Sequence, residues 1–519
     1  MRPSFNTTGP CLPGEHYMLP PERRLARVLE LIEERKYFTL HAGRQTGKTT
    51  SAFWLVDHLN AAGPPRAAWI DLETAREQPD LERALPVILG ELDRACARDL
   101  PHLPRPAPDE RKALLAVPER AVLGYLSALA RAGDPPLVLL FDEADALVGP
   151  TLVSFLAQLR AGYLDRSREP FPGSVALIGL RPVRDYALAT AEGRTVSWLG
   201  TTSPFNVSAE AATIGPFTAD EVTELLAQHT AATGQRFEPA AAARIFALAA
   251  GHPWLTNALA DQVVARDVTD RAIAVTADHV DAAKETIIRE RRTHIDSLVA
   301  RLREPRVQKI LAPMIAGQVT AGDVLDDDVA YLVGLGLLTE EGGRLNIANA
   351  IYREVIPRAL AHVQQLQLAQ ETAWYVAADG SLEVDKLLRA FQDFWRRDGH
   401  LAAEGFGYRE AGPHLMLMAF LQRVVNGGGR IEREYGLGRR ALDLMIEWRG
   451  DRHAIEVKLR RDTETEAEAL EQVADYLELA GLDRGHLVLF DLRRDVPWPS
   501  KLTVRDVTHR GKQIRITGC

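Results

Sequence analysis

The segment Ala42–Thr49, with the sequence Ala-Gly-Arg-Gln-Thr-Gly-Lys-Thr, constrains the fold of this chain more than any other feature. It follows the short β-rich run Tyr37–Leu40 and overlaps the start of Thr49–Leu59, which has helical spacing. A glycine-rich loop between a strand and a helix is the context of a phosphate-binding loop, because loop N–H groups and the helix N-terminus hold phosphate. The sequence therefore predicts an α/β domain that binds a nucleotide at the end of its first strand.

Two side chains of this loop have distinct expected roles. Lys48 is expected to reach the β- and γ-phosphate oxygens, and the Thr49 hydroxyl to ligate Mg²⁺. The first position is alanine where glycine is usual, but Gly43 beside it still permits close approach of the backbone. The residues expected to bind the nucleotide here are Ala42, Gly43, Arg44, Gln45, Thr46, Gly47, Lys48, Thr49 and Thr50.

A second motif lies about a hundred residues further on. Leu137–Glu143 is a continuous apolar run that ends in two carboxylates, as expected of a buried parallel strand that delivers acids to its carboxyl end. Asp142 is expected to hold Mg²⁺ through water, and Glu143 to polarise the attacking water. Arg181 or Arg184, just past a later strand, are candidates for a γ-phosphate contact, although each is better explained as a surface arginine. Further parallel strands are predicted at Ala67–Asp71 and Val175–Leu180.

Residues 1–365 resemble the AAA-like ATPases close to the STAND class. The motifs that carry the resemblance are Phe5–Cys11, His16–Met18, Arg44–Thr50, Ser203–Asn206, Gly215–Thr218 and Gly251–Trp254. The resemblance implies a helical lid at Thr213–Asp261 and an N-terminal segment beside the adenine. It also makes His252 a candidate nucleotide contact, with a plain turn residue as the alternative.

Beyond the lid, the sequence favours a helix followed by a short β-wing. Asp328–Leu338 has amphipathic helical spacing, Thr339–Gly343 is predicted to be a turn, and Arg344–Ile347 a strand. This order resembles a winged-helix domain, which in STAND-like proteins often packs on the nucleotide. The acidic run Asp326–Asp328 argues against a DNA-reading surface here, so the packing role is preferred.

The C-terminal part contains a predicted β-hairpin with two chemically different faces. Leu442–Trp448 and Ala454–Leu459 each alternate, and residues 449–453 between them include a turn at Gly450 and Asp451. The apolar residues of both strands are expected on one face. The other face then collects Asp443, Glu456 and Lys458.

This charged face has the composition of a divalent-cation site. Asp443 and Glu456 are expected to ligate Mg²⁺ or Mn²⁺, with the main-chain carbonyl of Val457 as a further oxygen. Lys458 is expected to position or deprotonate the attacking water and to offset phosphate charge. The alternative is a half-exposed hairpin whose outer face is simply charged.

The spacing of several further residues resembles the PD-(D/E)xK nuclease superfamily, in the subset with RecB-type exonucleases, over residues 375–519. Gln472 and Tyr476 stand four apart in the helical stretch Glu464–Leu479 and so share one face. The resemblance makes both of them site residues and assigns Glu410 as the acid of the first helix, with Glu434 and Glu404 as substitutes. The proline usual before the metal-binding Asp is Leu442 here, a departure from the pattern.

Length and composition set the remaining expectations. A chain of 519 residues with 46% hydrophobic and 26% charged residues predicts a multidomain α/β protein. The expected parts are a P-loop ATPase core at 1–205, a helical lid at 206–287, a winged-helix domain at 288–365, and a linker with a PD-(D/E)xK α/β domain at 366–519. The net charge of −9, the three scattered cysteines and the lack of a membrane-length apolar run favour a cytoplasmic protein with no membrane partner.

Taken together, the two motifs predict an ATP-binding and ATP-hydrolysing regulator joined to a metal-dependent nuclease. Its cofactors would be ATP with Mg²⁺ at one site and Mg²⁺ or Mn²⁺ at the other, and its partner nucleic acid, with DNA preferred to RNA. A role in genome defence or mobile elements is an analogy of architecture alone. The alternatives are a STAND-like switch that binds nucleic acid or protein without cutting, and a translocating motor, for which further motifs are lacking. A homo-oligomer is consistent with such ATPases, although the sequence identifies no arginine as an arginine finger.

Overall fold

The computed structural model describes most of the chain. The described residues are 2–63, 66–132, 136–179, 187–189, 196–198, 208–290, 292–302, 304–315, 327–341, 344–356, 374–396, 412–426, 429–437, 440–460, 465–491, 493 and 496–519. They form two compact units, Met1–Glu290 with Ala330–Thr339, and Arg291–Val329 with Glu340–Cys519. Among these residues no helix combines the length and apolarity required to cross a bilayer.

The first unit is built on a five-stranded parallel sheet. Its strands are β1 Tyr37–His41, β2 Arg66–Asp71, β3 Leu137–Asp142, β4 Ser174–Gly179 and β7 Ser208–Thr213, and two short strands, β5 Ala187–Ala189 and β6 Val196–Trp198, pair separately. The spatial order is β2-β3-β4-β1-β7, and every neighbouring pair is parallel. All carboxyl ends of the strands therefore meet at one edge, with β4 between the first strand and β3.

Helices cover both faces of this sheet, which explains the continuous apolar run in β3. Leu139 and Phe141 belong to a core beneath one set of helices, and Val138 and Leu140 to a second core on the opposite face. A strand buried on both faces has no polar side, so alternation disappears. The helices of this part are α1 Glu22–Glu33, α2 Lys48–Ala62, α3 Leu81–Asp99, α4 Pro108–Leu115, α5 Pro118–Ala132 and α6 Gly149–Asp165.

Four more helices follow in the region predicted to be a lid. They are α7 Ala219–Thr233, α8 Pro239–Ala249, α9 Pro253–Gln262 and α10 Ala277–Arg289. Thr218 and Glu221 close the start of α7 as a reciprocal capping box, in which each side chain accepts a hydrogen bond from the other residue's backbone N–H. The N-terminal segment is tied to α7, because Met18 and the Gln228 side chain exchange two hydrogen bonds of 3.1 and 2.7 Å.

The chain after α10 forms short helices, a small wing and a six-stranded sheet, of which residues 330–339 belong to the first unit and the rest to the second. The helices are α11 Thr293–Arg301, α12 Pro305–Ile315, α13 Asp327–Gly334, α14 Val384–Phe394, α15 Gly412–Asn426, α16 Thr465–Ala480 and α17 Trp498–Lys501, and residues 350–356 form a further short helix. The wing strands are β8 Leu338–Glu341 and β9 Arg344–Ile347, which pair with one another. Residues 338–341 are thus strand, and the turn predicted at Thr339–Gly343 was placed too early. The predicted helix also ends sooner than expected, at Gly334.

The six-stranded sheet is mixed. Its strands are β10 Arg430–Leu437, β11 Arg440–Trp448, β12 Asp451–Leu459, β13 Arg484–Phe490, β14 Val504–His509 and β15 Lys512–Gly518, in the order β10-β11-β12-β13-β15-β14. The pairs β12–β13 and β13–β15 are parallel and the others antiparallel. Helix α16 packs against one face, where Val473 and Leu477 meet Ala454 and Leu487. Aromatic rings of α14 pack on the opposite face, where Phe391 meets Phe490.

The predicted hairpin is present with a tighter turn than expected. Trp448 pairs with Asp451, so only Arg449 and Gly450 form the loop, with φ angles of 50° and 96°. Two successive positive φ angles are typical of the turn that suits the twist of a two-residue hairpin. The five-residue connection was therefore wrong, since strand β12 already begins at Asp451. Its consequence for the faces was right, because Leu444 lies opposite Ile455.

Candidate functional site

The phosphate loop connects the end of β1 with the start of α2. Gln45 and Gly47 have positive φ angles of 57° and 93°, and the Thr46 hydroxyl donates a 2.8 Å hydrogen bond to the carbonyl of Gly43. These conformations fold the loop back over the end of its strand, which a glycine at position 47 permits. The loop thus has the compact form that a phosphate cradle requires.

Lys48 and Thr49 are held at the start of α2. The Lys48 ammonium is buried and donates hydrogen bonds of 3.0 and 2.9 Å to the carbonyls of Ala42 and Gly43. Burial lowers the pKa of Lys48, and the negative charges of Glu143 and Asp142 oppose that shift. The Thr49 hydroxyl donates to Asp142 Oδ2 across 2.8 Å. The structure therefore brings together the loop cation, the loop hydroxyl and the strand-end acid that the sequence predicted.

The two carboxylates at the end of β3 have different surroundings. Asp142 is only 1% exposed and also accepts a 3.1 Å hydrogen bond from the indole of Trp69. Glu143 is more open and has a left-handed backbone, with φ 52° and ψ 39°. Burial, together with the like charges of Asp145 and Asp142, raises the pKa of Glu143 to about 7. One acid is thus fixed beside the loop, and the other is more exposed and has a raised pKa.

His252 links the loop with helix α9, and Thr50 links it with the N-terminal segment. The side chain of His252 hydrogen-bonds the backbone of Arg44, and burial lowers its pKa to about 4. The same ring caps α9 by accepting from the N–H of Leu255. The Thr50 hydroxyl accepts a 3.0 Å hydrogen bond from the N–H of Cys11. His252 therefore lies against the loop, while Arg181 falls outside the described residues, as does Arg184.

The second candidate site lies on the sheet face of the second unit that α16 covers. Asp443 pairs with the position of Glu456 across β11 and β12, as the register Leu444–Ile455 requires. Asp443 Oδ2 accepts a 2.8 Å hydrogen bond from the N–H of Val457, and the N–H of Asp443 donates to Glu456 Oε2 at 3.3 Å. Both carboxylates are thus oriented by backbone groups of the hairpin.

Lys458 completes this cluster on the same strand face. Its ammonium is 2.8 Å from Glu456 Oε1, and the Glu456 side chain is fully buried. Burial and then the charge of Asp443 raise the pKa of Glu456 well above its usual range. Burial acts to lower the pKa of Lys458, but Glu456 and Asp443 outweigh it, so that pKa is raised. Two acids and one cation therefore lie together on this strand face, with Glu456 buried and Lys458 partly exposed.

The helix α16 carries the other predicted residues. Tyr476 is 1% exposed and packs with Met445 and Ala454 on this sheet face, and Gln472 lies one turn earlier, half-buried. Glu468, from the first turn of the same helix, is close enough to help raise the pKa of Lys458. The sequence analysis missed Glu468, although the i, i+4 spacing to Gln472 was a usable signal.

The predicted first-helix acid Glu410 lies outside the described residues, as does Glu404. Glu434 is in strand β10, without a described side chain. Among the described residues, no group of three or more His, Cys, Asp or Glu is close enough to hold a metal ion. The donor set that is present is two carboxylates, Asp443 and Glu456, with the Val457 carbonyl nearby. This set fits a cation such as Mg²⁺, which takes one or two carboxylates and keeps several waters.

In the first unit, a glycine-rich loop at the end of one parallel strand faces an acid pair at the end of another. Loop cation, loop hydroxyl and strand-end acid in this arrangement define the P-loop class of nucleotide-binding proteins. The class assignment rests on this geometry and on the strand order.

Comparisons with known proteins give only distant likenesses. No protein-family model matches the chain, and no curated protein does. Among solved structures, a Walker-type ATPase of Pyrococcus abyssi is 16% identical, with 69% of this chain and 98% of that chain covered and a TM-score of 0.45. The RuvB Holliday junction branch migration motor of Thermotoga maritima is 17% identical, with 65% and 93% covered and a TM-score of 0.33. Cdc6p from Pyrobaculum aerophilum is 16% identical, with 65% and 94% covered and a TM-score of 0.35.

Proposed function

We propose that this protein binds and hydrolyses ATP through its first unit and cleaves nucleic acid, with DNA preferred to RNA, through its second. The observation that carries the nuclease part is the cluster of Asp443, Lys458 and a fully buried Glu456. A fully buried carboxylate beside a second one is costly unless a cation shares the site. The alternative is a half-exposed hairpin whose outer face is simply charged. It fits poorly, because the Glu456 side chain has no exposed surface.

The residues of each site have separate tasks. At the first site Lys48 would bind phosphate oxygens, Thr49 and Asp142 would hold Mg²⁺, and Glu143 would orient the attacking water. At the second, Asp443 and Glu456 would hold Mg²⁺ or Mn²⁺, and Lys458 would position water and offset phosphate charge. A bound divalent cation would supply Lewis-acid polarisation of the phosphate and a more acidic water. Gln472 and Tyr476 would support this site from α16.

The test is a cleavage assay on the full chain. Linear duplex DNA, single-stranded DNA and RNA are incubated with Mg²⁺ or Mn²⁺, with and without ATP. We expect Asp443→Ala to abolish cleavage, and Lys48→Ala to alter its dependence on ATP. Glu447→Gln, on the same strand face but at the far end of β11, is the matched control and should cleave normally. Cleavage that survives Asp443→Ala would refute the assigned metal site.

A second function, a nucleotide-sensing switch without cleavage, is favoured by one contact. A side-chain carbon at Gly43 would lie 3.1 Å from the carbonyl oxygen of Leu335 and 3.4 Å from Gly336. The turn after α13 therefore packs directly on the phosphate loop, where bound nucleotide would change its surroundings. ATP hydrolysis with no cleavage of any substrate, and an ATP-dependent change in protease sensitivity near residue 335, would support this function instead.

A further inference from the structure

Two short turns, one after β2 and one after β3, are joined by backbone hydrogen bonds. The N–H of Leu72 donates to the carbonyl of Asp142, and the N–H of Glu77 to that of Ala146, each across 3.0 Å. Each turn contains one turn of 3-10 helix, Glu73–Ala75 in the first and Ala144–Ala146 in the second. Residues of the first turn are consequently held at a fixed position beside Glu143.

Arg76 projects from the first of these turns between two glutamates. Its Nε donates a 2.7 Å hydrogen bond to Glu73 Oε1, and its Nη2 bonds Glu73 Oε2. The same Nη2 lies 3.6 Å from Glu143 Oε2. Glu73 thus anchors the guanidinium of Arg76, which also attracts the Glu143 carboxylate. A planar fork can serve two carboxylates at once, which a lysine ammonium does less well.

Two of the charged neighbours of Glu143, Asp145 and Asp142, are acidic and oppose its ionisation, whereas Lys48 favours it. Asp142 directly precedes Glu143, and Asp145 lies in the same turn with Oδ1 buried and without a hydrogen-bond partner among the described residues. The negative charges of Asp142 and Asp145 repel the Glu143 carboxylate and favour its movement towards solvent. Among the ion pairs of the described residues, Glu143 has Arg76 as its partner.

We propose that Arg76 is a positioning residue for ATP hydrolysis, which holds the Glu143 carboxylate at the strand edge without itself contacting the nucleotide. This inference rests on the proposed ATPase function of the first unit. Arg76 adds to Lys48 an attraction that opposes the repulsion by Asp142 and Asp145, and the backbone hydrogen bonds between the two turns fix where the attraction of Arg76 acts. A base held in place spends more time in a productive geometry, so the benefit falls on kcat.

The test is steady-state ATP hydrolysis by the full chain. We expect Arg76→Ala to lower kcat by roughly tenfold to a hundredfold while KM for ATP changes by less than about threefold, as for other residues that orient a catalytic group. Arg76→Lys should recover part of the loss. Arg94→Ala is the matched control, since Arg94 forms a similar exposed ion pair with Glu91 and should leave kcat unchanged.

A double mutant separates positioning from general damage. If Arg76 acts through Glu143, then Arg76→Ala added to Glu143→Gln should cause no further loss of kcat. Equal losses on both backgrounds, an unchanged kcat in Arg76→Ala, or a change confined to KM would each overturn the inference. Arg76→Gln, which also removes the charge, gives the same comparison should the alanine variant fold poorly, as judged by thermal unfolding. Absence of hydrolysis in the unaltered chain would instead overturn the proposed ATPase function, and the inference with it.

Discussion

Gly251, in the turn before α9, offers the sharpest test of how helices α7–α10, which form the predicted lid, are held together. Its φ is +72°, and a side-chain carbon there would lie 1.9 Å from the carbonyl oxygen of Phe217. The same two residues are also joined by a 2.8 Å hydrogen bond from the N–H of Phe217 to the carbonyl of Gly251. Neither backbone segment can move away without breaking that bond. We therefore predict that Gly251→Ala destabilises the lid strongly.

The expected magnitude has two parts. A left-handed backbone costs an L-residue about 1–2 kcal/mol. The steric overlap adds about 1–3 kcal/mol, as for other overpacked sites. Gly234, at the end of α7, is a matched control, because its φ is +82° but nothing lies within 4 Å of the added carbon. Gly234→Ala should therefore cost only the backbone part, about 1–2 kcal/mol.

Hydrogen exchange of lid amides, followed by mass spectrometry, measures these differences locally. Each loss of about 1.4 kcal/mol in opening free energy speeds exchange about tenfold. Because the two variants differ by the steric part of about 1–3 kcal/mol, we expect α9 amides to exchange at least about fivefold faster in Gly251→Ala than in Gly234→Ala. Because His252 follows Gly251 and hydrogen-bonds Arg44, nucleotide affinity should fall in the first variant alone. Equal exchange in both variants would refute the steric argument.

Two further predictions concern the charge cluster on the α14 side of the second sheet. Burial lowers the pKa of His486 to about 4, with Arg484 and His453 acting in the same direction and Asp385 against it. Since the unfolded histidine titrates near ~6.5, the unfolded state binds more protons below that pH, so stability of this unit is retained above pH ~6.5 and lost towards pH 4. A thermal midpoint that does not fall between pH 7.5 and 5 would contradict this sign. Asp385→Asn removes ion pairs of 2.7 and 2.5 Å with Arg484 and Arg515, and we expect a loss of about 1 kcal/mol at pH 7.5, measured by urea unfolding against the unaltered chain.

Much of the first site could be predicted because its groups are contiguous in sequence or end a strand. The loop Ala42–Thr49 and the pair Asp142–Glu143 each lie within a few residues, and the buried run of β3 identified a strand covered on both faces. The contact of Thr49 with Asp142 then follows from the meeting of parallel strands at one edge. The motif Gly251–Trp254 predicted a turn near the nucleotide, whereas the hydrogen bond of His252 to the Arg44 backbone depends on a tertiary contact.

The position of Arg76 beside Glu143 could not be predicted, because it too depends on a tertiary contact. It lies 67 residues from Glu143 in the chain and follows an unremarkable strand, and only the pairing of β2 with β3 brings the two turns together. In the second unit, the register between β11 and β12 was predictable because a slip by one residue would bury Asp443 among apolar side chains. The two-residue turn between these strands could not be predicted, because Arg449 adopts a left-handed φ that an arginine at this position does not indicate. Site residues that lie close together along the chain can therefore be predicted from this sequence. Side chains that act through a neighbouring strand or a left-handed turn are identified only in the folded protein.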